Sequence, residues 1–333
     1  MGIVKTDSSF VISAYSVAGC LEAKGPLGAA IDFTDRKDDT FGKDSWEMAE
    51  SEMQRRASLG ALGAADLSPD DVGVVFSGDL INQCIASTHG LMSLGIPDLG
   101  LFGACSTCAE SMLLASVFSS YVKNTVLAVT SSHNCSAERQ FRFPVEYAAL
   151  RTPTSQWTVT GSAAFVISSS PRESSPRIAE GLVGRIVDST LDDLNNMGGA
   201  MAPAAADTLV RYFRESGKRP SDFDAIVTGD LGAEGSSLLR EIISGEGYDI
   251  AERHFDCGLD IYDIKAQDMH SGGSGCGCSA VVMAAKYIPM LRSGEINDML
   301  FVGTGALMNA MSVGQGNTIP AIAHLVRLTS GVV

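Results

Sequence analysis

Basic residues are scarce in this chain: across 333 positions, 24 Lys and Arg stand against 39 Asp and Glu, a formal net charge of −15. Nucleic acid and anionic membrane surfaces are therefore poor direct partners for the body of the protein, because like charge repels both. Cysteine is also sparse. Eight in a chain this long are too few for a disulfide scaffold, and several sit among small or apolar neighbours, as in a reduced, cytosolic protein. No run of 18 apolar residues occurs, since Lys123 and Lys286 break the two most apolar helical stretches, so no spanning helix is expected. Proline numbers only 11 while glycine reaches 35, a mixture suited to tight turns and close backbone approaches and not to a linker-rich protein. With 45% hydrophobic and 19% charged residues, the chain can bury a large core, as about two units of roughly 150 residues or as one large α/β unit.

Three short patterns imitate targeting or modification signals. Met1-Gly2 with Thr6 fits myristoylation, and Val17-Ala18-Gly19-Cys20 resembles a lipoprotein cleavage box. The apolar stretch ahead of that box is short, is broken by Ser13, Tyr15 and Ser16, and reads better as a β-strand over 10–15. Asn134-Cys135-Ser136 matches the glycosylation triplet, which is common by chance.

Ser45 is placed to cap a helix over 46–62, with Glu47 and Glu50 in its first turn where the helix dipole favours acids. Strands are expected at 72–77, 99–102 and 125–130, with a helix at 106–121 between the last two. That order predicts a largely parallel sheet buried on both faces. The second half then restates the first. Val75-Phe76-Ser77-Gly78-Asp79-Leu80 returns as Ile226-Val227-Thr228-Gly229-Asp230-Leu231, and Ala104-Cys105-Ser106 returns as Gly275-Cys276-Gly277, with an insertion of roughly 20 residues between Leu231 and Cys276. The serine-rich segment 168–176 separates a half at 1–170 from a half at 177–333, the two forming one compact domain. Pro203 and Gly217 bound one expected helix, 279–293 with Gly294 another, and a closing strand pair is expected near Phe301 and at 319–328.

Cys105 marks the sharpest chemical feature, on the elbow between a strand and a helix, where free N–H groups and the dipole favour thiolate. A buried structural cysteine is the alternative. Cys105-x-x-Cys108 also reads as a redox dithiol, and Cys276-x-Cys278 could add metal ligands, although a second Cys-x-x-Cys or a His pair is missing. After the third strand come Ser131-Ser132-His133-Asn134, then Arg139, Arg142, Arg151 and Trp157, running to Thr158-Val159-Thr160-Gly161. Polar residues following parallel strands sit where α/β sheets bind ligands, and clustered arginines suit carboxylates. His270-Ser271-Gly272-Gly273-Ser274-Gly275 forms a glycine-rich bend without a Walker or dinucleotide fingerprint; it would let backbone pass close to Cys105, with His270 aimed at the same cavity.

The duplicated α/β unit, the elbow cysteine and the His-Gly-rich loop together resemble the thiolase and ketoacyl synthase fold. Within it, Gly25-Pro26-Leu27-Gly28, Ser45-Trp46-Glu47, Gly78-Asp79-Leu80-Ile81-Asn82-Gln83, the stretch 99–107, Ser131-Ser132-His133-Asn134, the stretch 156–161 and the stretch 270–279 closely resemble the stage V sporulation protein AD family over nearly the whole chain. The resemblance implies two duplicated βαβαβαββ halves packed as an αβαβα sandwich and a homodimer. It implies a cytoplasmic protein peripheral to the spore inner membrane, tied to the membrane through other sporulation stage V membrane proteins, that binds dipicolinate. No cofactor is expected, with calcium entering only as the dipicolinate chelate.

Departures from working condensing enzymes accompany that likeness. Where synthases with a Cys-His-Asn set carry histidine, this chain has Asp230 or Gly229, and Ser274 stands where they carry asparagine. The thiolase Asn-Glu-Ala-Phe segment falls near 229–232, and the second thiolase cysteine falls near Phe301. Claisen condensation is therefore expected to be lost, with Cys105 and His270 as a residual catalytic pair. The expected ligand site comprises Asp79, Asn82, Cys105, Ser132, His133, Asn134, Arg139, Arg142, Arg151, Trp157, Thr160 and Ser274. An acyltransferase or thioesterase using Cys105 as nucleophile is the enzymatic alternative, and a structural subunit that recruits membrane partners is a third reading.

Overall fold

A computed structural model describes residues 2–6, 8–122, 125–141 and 151–331. The first half contributes β1 (Phe10–Ala18), β2 (Val74–Gly78), β3 (Asp98–Leu101), β4 (Thr125–Ser132) and β5 (Gly161–Ser168). The second contributes β6 (Arg177–Leu182), β7 (Ala225–Thr228), β8 (His254–Asp256), β9 (Asp298–Ala306) and β10 (Pro320–Thr329). Their neighbour order is β3-β2-β4-β5-β1-β6-β10-β9-β7-β8. Counting each half from its own first strand gives the same order, 3-2-4-5-1, so the duplication read from the sequence is a duplication of topology. A bridge between Phe10 and Arg177 links the halves.

The sheet is less parallel than its strand-helix-strand order predicts. β3, β2 and β4 are parallel, as are β8, β7 and β9. β5 runs antiparallel to both β4 and β1, and β10 antiparallel to β9 and β6. The 307–319 connection from β9 to β10 holds only the five-residue helix Ala310–Gly314 and returns the chain directly to the neighbouring strand, whereas parallel neighbours need a crossover.

Helices complete five layers. α1 (Trp46–Ala64) covers the outer face of β1, β4 and β5, and α2 (Ile85–Leu91) packs beside it. α3 (Thr107–Phe118) lies between the two halves of the sheet, touching β2 and β4 on one side and β9 and β10 on the other. α4 (Asn134–Phe141) follows β4. α5 (Met197–Ser216) and α6 (Gly232–Gly245) cover the far side, and α7 (Cys276–Val282) returns to the middle layer against β4 and β5. The arrangement is an αβαβα sandwich. Strand alternation feeds three cores: Val75, Leu127 and Val129 face α1, while Phe76, Val126 and Ala128 face the middle layer. In the second half Ile226 and Leu300 face α5, and Val227 and Phe301 face inward. Both faces are buried, which is why these strands read as unbroken apolar runs.

Ser45 caps α1 as expected, its hydroxyl accepting from Met48 N at 3.3 Å. Pro203 does not begin its helix: α5 starts six residues earlier behind an Asn196 cap, with Pro203 inside it. Gly198 and Gly199 hide that start, being poor helix formers. Gly198 is required by packing, because a Cβ there would lie 2.4 Å from the Leu231 carbonyl oxygen. The helix expected over 279–293 begins at Cys276 and passes through a π-turn at Met283–Tyr287 before reaching Gly294. The extra residues of the second half reside in a longer α6 and in the segment 257–275, which delivers Gly273 and Ser274 beside Trp157 and Thr158 as a two-strand pair.

Candidate functional site

β3 stops at Leu101, and the chain turns through Gly103 and Ala104 before α3. Ala104 holds φ +53, a left-handed conformation that costs a residue bearing a Cβ. Side chains secure the turn: Ser106 Oγ donates to Gly103 O at 2.6 Å, Thr107 Oγ1 donates to Ala104 O at 2.7 Å, and Gly103 N donates back to Thr107 Oγ1 at 3.1 Å. β9 packs against this elbow so closely that a Cβ on Gly305 would lie 2.6 Å from Gly103 O. Cys105 is thereby fixed, 6% exposed, in the wall of a cavity of about 250 Å³. Apolar side chains dominate the lining, among them Leu80, Phe102, Phe141, Met197 and Met308, with Asn82, Glu138, Thr158, Ser274 and Asn309 as its polar groups.

The chemistry at Cys105 is set by the second half. Asp230, at the end of β7, is fully buried and hydrogen-bonds the Cys105 thiol. Its carboxylate accepts from Gly275 N at 2.8 Å and from Thr304 Oγ1 at 2.9 Å. Burial raises its pKa from 3.8 to about 6. The elbow position favours thiolate, but the structure reverses that expectation. Burial first, then the Asp230 charge, push the Cys105 thiol well above its ordinary value, and the Gly275 N–H and Ser274 only partly oppose them. Two anions this close cannot both be stable in a dry site, so Cys105 is a neutral thiol donating to a carboxylate. Of Gly229 and Asp230, it is Asp230 whose side chain approaches Cys105, and Ser274 stands beside it. Phe301 belongs to the middle core.

Of the expected ligand residues, Asn82, Cys105 and Ser274 line the cavity. The others serve different neighbours. Asp79 turns inward, accepting from Ile81 N at 2.8 Å and from Ser87 N and Oγ at 2.9 and 2.6 Å, so its charge is directed at α2 and not at the cavity. Ser132 donates to Val159 O at 2.7 Å. His133 is buried against Trp46, its rings 5.2 Å apart. Its Nδ1 accepts from Cys135 N at 3.2 Å, which leaves Nε2–H to donate to Asp39 O at 3.0 Å; burial lowers its pKa. Asn134 N donates to Thr160 Oγ1 at 3.1 Å, and Thr160 N donates to Glu22 Oε1 at 3.0 Å.

The arginines also disperse. Arg139 pairs with Glu47 at the surface. Arg151 reaches Asp268 at 2.5 Å and stacks over Trp157 at 5.6 Å. Arg142 lies outside the described residues. His270 carries φ +53, directs Nδ1 to Thr152 O at 2.7 Å and faces Asp268 with Nε2 at 3.5 Å; it is not among the residues lining the cavity. The redox and zinc readings gain no support: all eight cysteines are free, and no group of three or more His, Cys, Asp or Glu is placed to hold a metal among the described residues.

Sequence reasoning missed Glu138 and the 306–309 rim. Glu138 carried a usable signal: with Ala137 and Phe141 it falls on one face of α4. The rim carried none, because it reaches the cavity only through sheet topology.

A profile for Stage V sporulation protein AD (SpoVAD) matches residues 2–329. Stage V sporulation protein AD of Bacillus subtilis (strain 168) is 43% identical over 317 residues, covering 95% of this chain and 92% of that protein. Among solved structures, cerulenin-bound OleA of Xanthomonas campestris superposes with a TM-score of 0.62 at 13% identity over 98% of both chains. AbyA1, a tetronic acid condensing enzyme, gives 0.61 at 16% identity over 96% of this chain and 99% of its own. The 3-oxoacyl-[acyl-carrier-protein] synthase III of Aquifex aeolicus VF5 gives 0.57 at 13% over 96% and 99%. At these identities the structural likeness establishes the thiolase-like, ketoacyl synthase-like fold and nothing of the chemistry.

Proposed function

Because the chain belongs to the stage V sporulation protein AD family, we propose that it is a non-condensing member of the thiolase-like fold that binds dipicolinate, free or as its calcium chelate, for the machinery moving that compound in sporulation and germination. The observation carrying this reading is the pairing of a formed cavity with a disabled nucleophile. Cys105 keeps its strained elbow, yet a buried carboxylate stands beside it where a condensing enzyme needs a neutral base. A preformed, largely apolar pocket with a few convergent polar groups is sufficient for a small planar ligand. Phe102 and Phe141 offer ring contact, and Asn82, Thr158, Ser274 and Asn309 offer hydrogen bonds. Titration calorimetry with dipicolinate, with and without calcium, tests it. Saturable heat near 1:1 in at least one buffer is the expected result, and none in either refutes the reading.

The protein acts, in this reading, at the cytoplasmic side of the spore inner membrane through other stage V membrane proteins. Among the described residues no helix is long and apolar enough to cross a membrane. A homodimer fits the exposed edge strand β3, whose Leu99 is 48% exposed and which leads into Phe102, 54% exposed. An unpaired edge flanked by apolar side chains is a template for a second copy.

The retained elbow favours one alternative, acyl transfer through Cys105. Mass spectrometry after incubation with acyl-CoA separates the two: a lasting adduct on Cys105 supports the enzyme, and unmodified protein supports the binding reading.

A further inference from the structure

Outside the cavity lining, one buried carboxyl ties three distant segments together. Glu22, in the turn Glu22–Lys24, is 1% exposed. Its Oε1 accepts from Thr160 N at 3.0 Å and from the Tyr262 hydroxyl, while its Oε2, equally buried, has no hydrogen-bond partner. Thr160 carries the contact to one wall of the cavity. Its Oγ1 accepts from Asn134 N at the start of α4, the helix that lines the cavity with Ala137 and Phe141. Tyr262 carries it to another wall, because it lies in the segment 257–275 that brings Ser274 to the cavity beside Thr158. Gln267 Nε2 holds the same seam by donating to Leu21 O at 2.9 Å, and a Cβ on Gly25 would clash with Ile261 O.

The neighbours of Glu22 offer it no compensating charge. Asp39 faces it from the 35–44 loop: a Cβ on Gly19 would lie 2.5 Å from Asp39 Oδ1 and 3.0 Å from Glu22 Oε2, so both oxygens look onto one point. Cys20 N, His133 and Cys135 neighbour Asp39 itself. The 257–275 segment presents the Tyr262 hydroxyl, α7 presents the Cys278 thiol next to Tyr262, and the stretch 156–161 has no titratable side chain. Lys24, on the same turn, is exposed to solvent. A carboxylate here is an unpaired buried charge beside a second negative charge, whereas the acid keeps both bonds at Oε1 and carries its proton on Oε2. We propose that Glu22 is a proton-operated clasp: as an acid it holds α4 and the 257–275 segment together, and on losing its proton to solvent it loosens the two walls they give the cavity. Burial raises its pKa from 4.5 to about 7, the Asp39 charge adding to the rise and the bonds from Tyr262 and Thr160 opposing it. The closed seam is therefore favoured most below pH 4.5, and that advantage is lost as pH rises to about 7.

Native-state hydrogen exchange reads the seam directly, because Thr160 N is bonded to Glu22 and Val159 N to Ser274 O at 2.9 Å. With exchange rates corrected for their intrinsic pH dependence, protection of these two amides in wild type should fall by about fortyfold or more between about pH 5 and about pH 7, as opening releases one proton less tightly held. At the upper end they should exchange faster than the amides of β9, so that the seam opens while the core stays closed. Glu22→Gln keeps an oxygen for both donors and cannot ionise, so the ratio of its protection to that of wild type should rise by about fortyfold over the same interval. Parallel pH dependence in the two proteins overturns the inference, as does exchange of the seam amides no faster than those of β9. The wild-type series decides without the variant, since protection at Val159 and Thr160 that holds steady across the interval overturns it too. No ligand takes part, so the outcome is separate from that of the dipicolinate titration.

Discussion

Replacing Asp230 with asparagine isolates the charge that distinguishes this site from a condensing centre. Asp230 is fully buried, and burial raises its pKa from 3.8 to about 6. The folded protein therefore holds this proton more tightly than the unfolded chain does. Below pH 3.8 both states are protonated and no penalty exists. As pH rises towards 6 the unfolded chain ionises first, and stability falls until the folded carboxyl ionises too. A tenfold change in proton affinity is worth about 1.4 kcal/mol, so the full penalty is about 3 kcal/mol above pH 6. The Asp230→Asn variant would lack it. The introduced amide oxygen can still accept from Gly275 N, and the amide nitrogen can donate to Thr304 Oγ1, so the altered hydrogen bonds add an offset of about 1–3 kcal/mol that does not vary with pH. Urea unfolding of wild type and Asp230→Asn from about pH 4 to about pH 7.5 should show the variant gaining about 2–3 kcal/mol relative to wild type across that range. Curves that stay parallel would refute the reasoning. The same variant removes the charge that helps hold the Cys105 thiol neutral, so iodoacetamide should modify Cys105 faster than in wild type, as followed by peptide mass mapping.

Glu50 is buried between Ser131 and Ser136, whose hydroxyls donate to it at 2.8 and 2.7 Å, and burial followed by the Asp79 charge raises its pKa from 4.5 to about 8. Stability from this group is lost as pH rises from about 4.5 to about 8, so the melting temperature of Glu50→Gln should gain on wild type across that window. Gly277→Ala should destabilise by about 1–3 kcal/mol or more, because its Cβ would lie 2.4 Å from Gly161 O and 2.7 Å from Ser132 N, both backbone atoms; denaturant midpoints measure it. Leu99→Glu places a charge on the exposed β3 edge and should shift sedimentation from dimer to monomer with an unchanged circular dichroism spectrum.

Much of the fold was legible because local rules and long-range order agreed. Ser45 and Glu47 announced α1, and the repeated Gly-Asp-Leu after β2 and β7 announced a duplication whose strand order proved identical in both halves. The sheet is less parallel than the strand-helix-strand order predicts, since β-propensity is the same for a strand that returns directly and one that crosses over. Pro203 marks the helix start six residues late because Gly198 answers to α6, which no local pattern shows.

At the site, sequence alone determined that Cys105 would stand on an elbow and that the chain belongs with its sporulation relatives. Only the tertiary structure decided what those residues do. The thiol is neutral and not a thiolate first because it is buried and then because the charge of Asp230, 125 positions away, stands beside it. The arginines that looked like an anion site spread to Glu47 and Asp268, His270 turned to Thr152, and Glu138 joined the cavity. Residue type fixes which charges exist; their dielectric surroundings and partners are set by which segments meet across the sandwich, and those settle each pKa and each pairing.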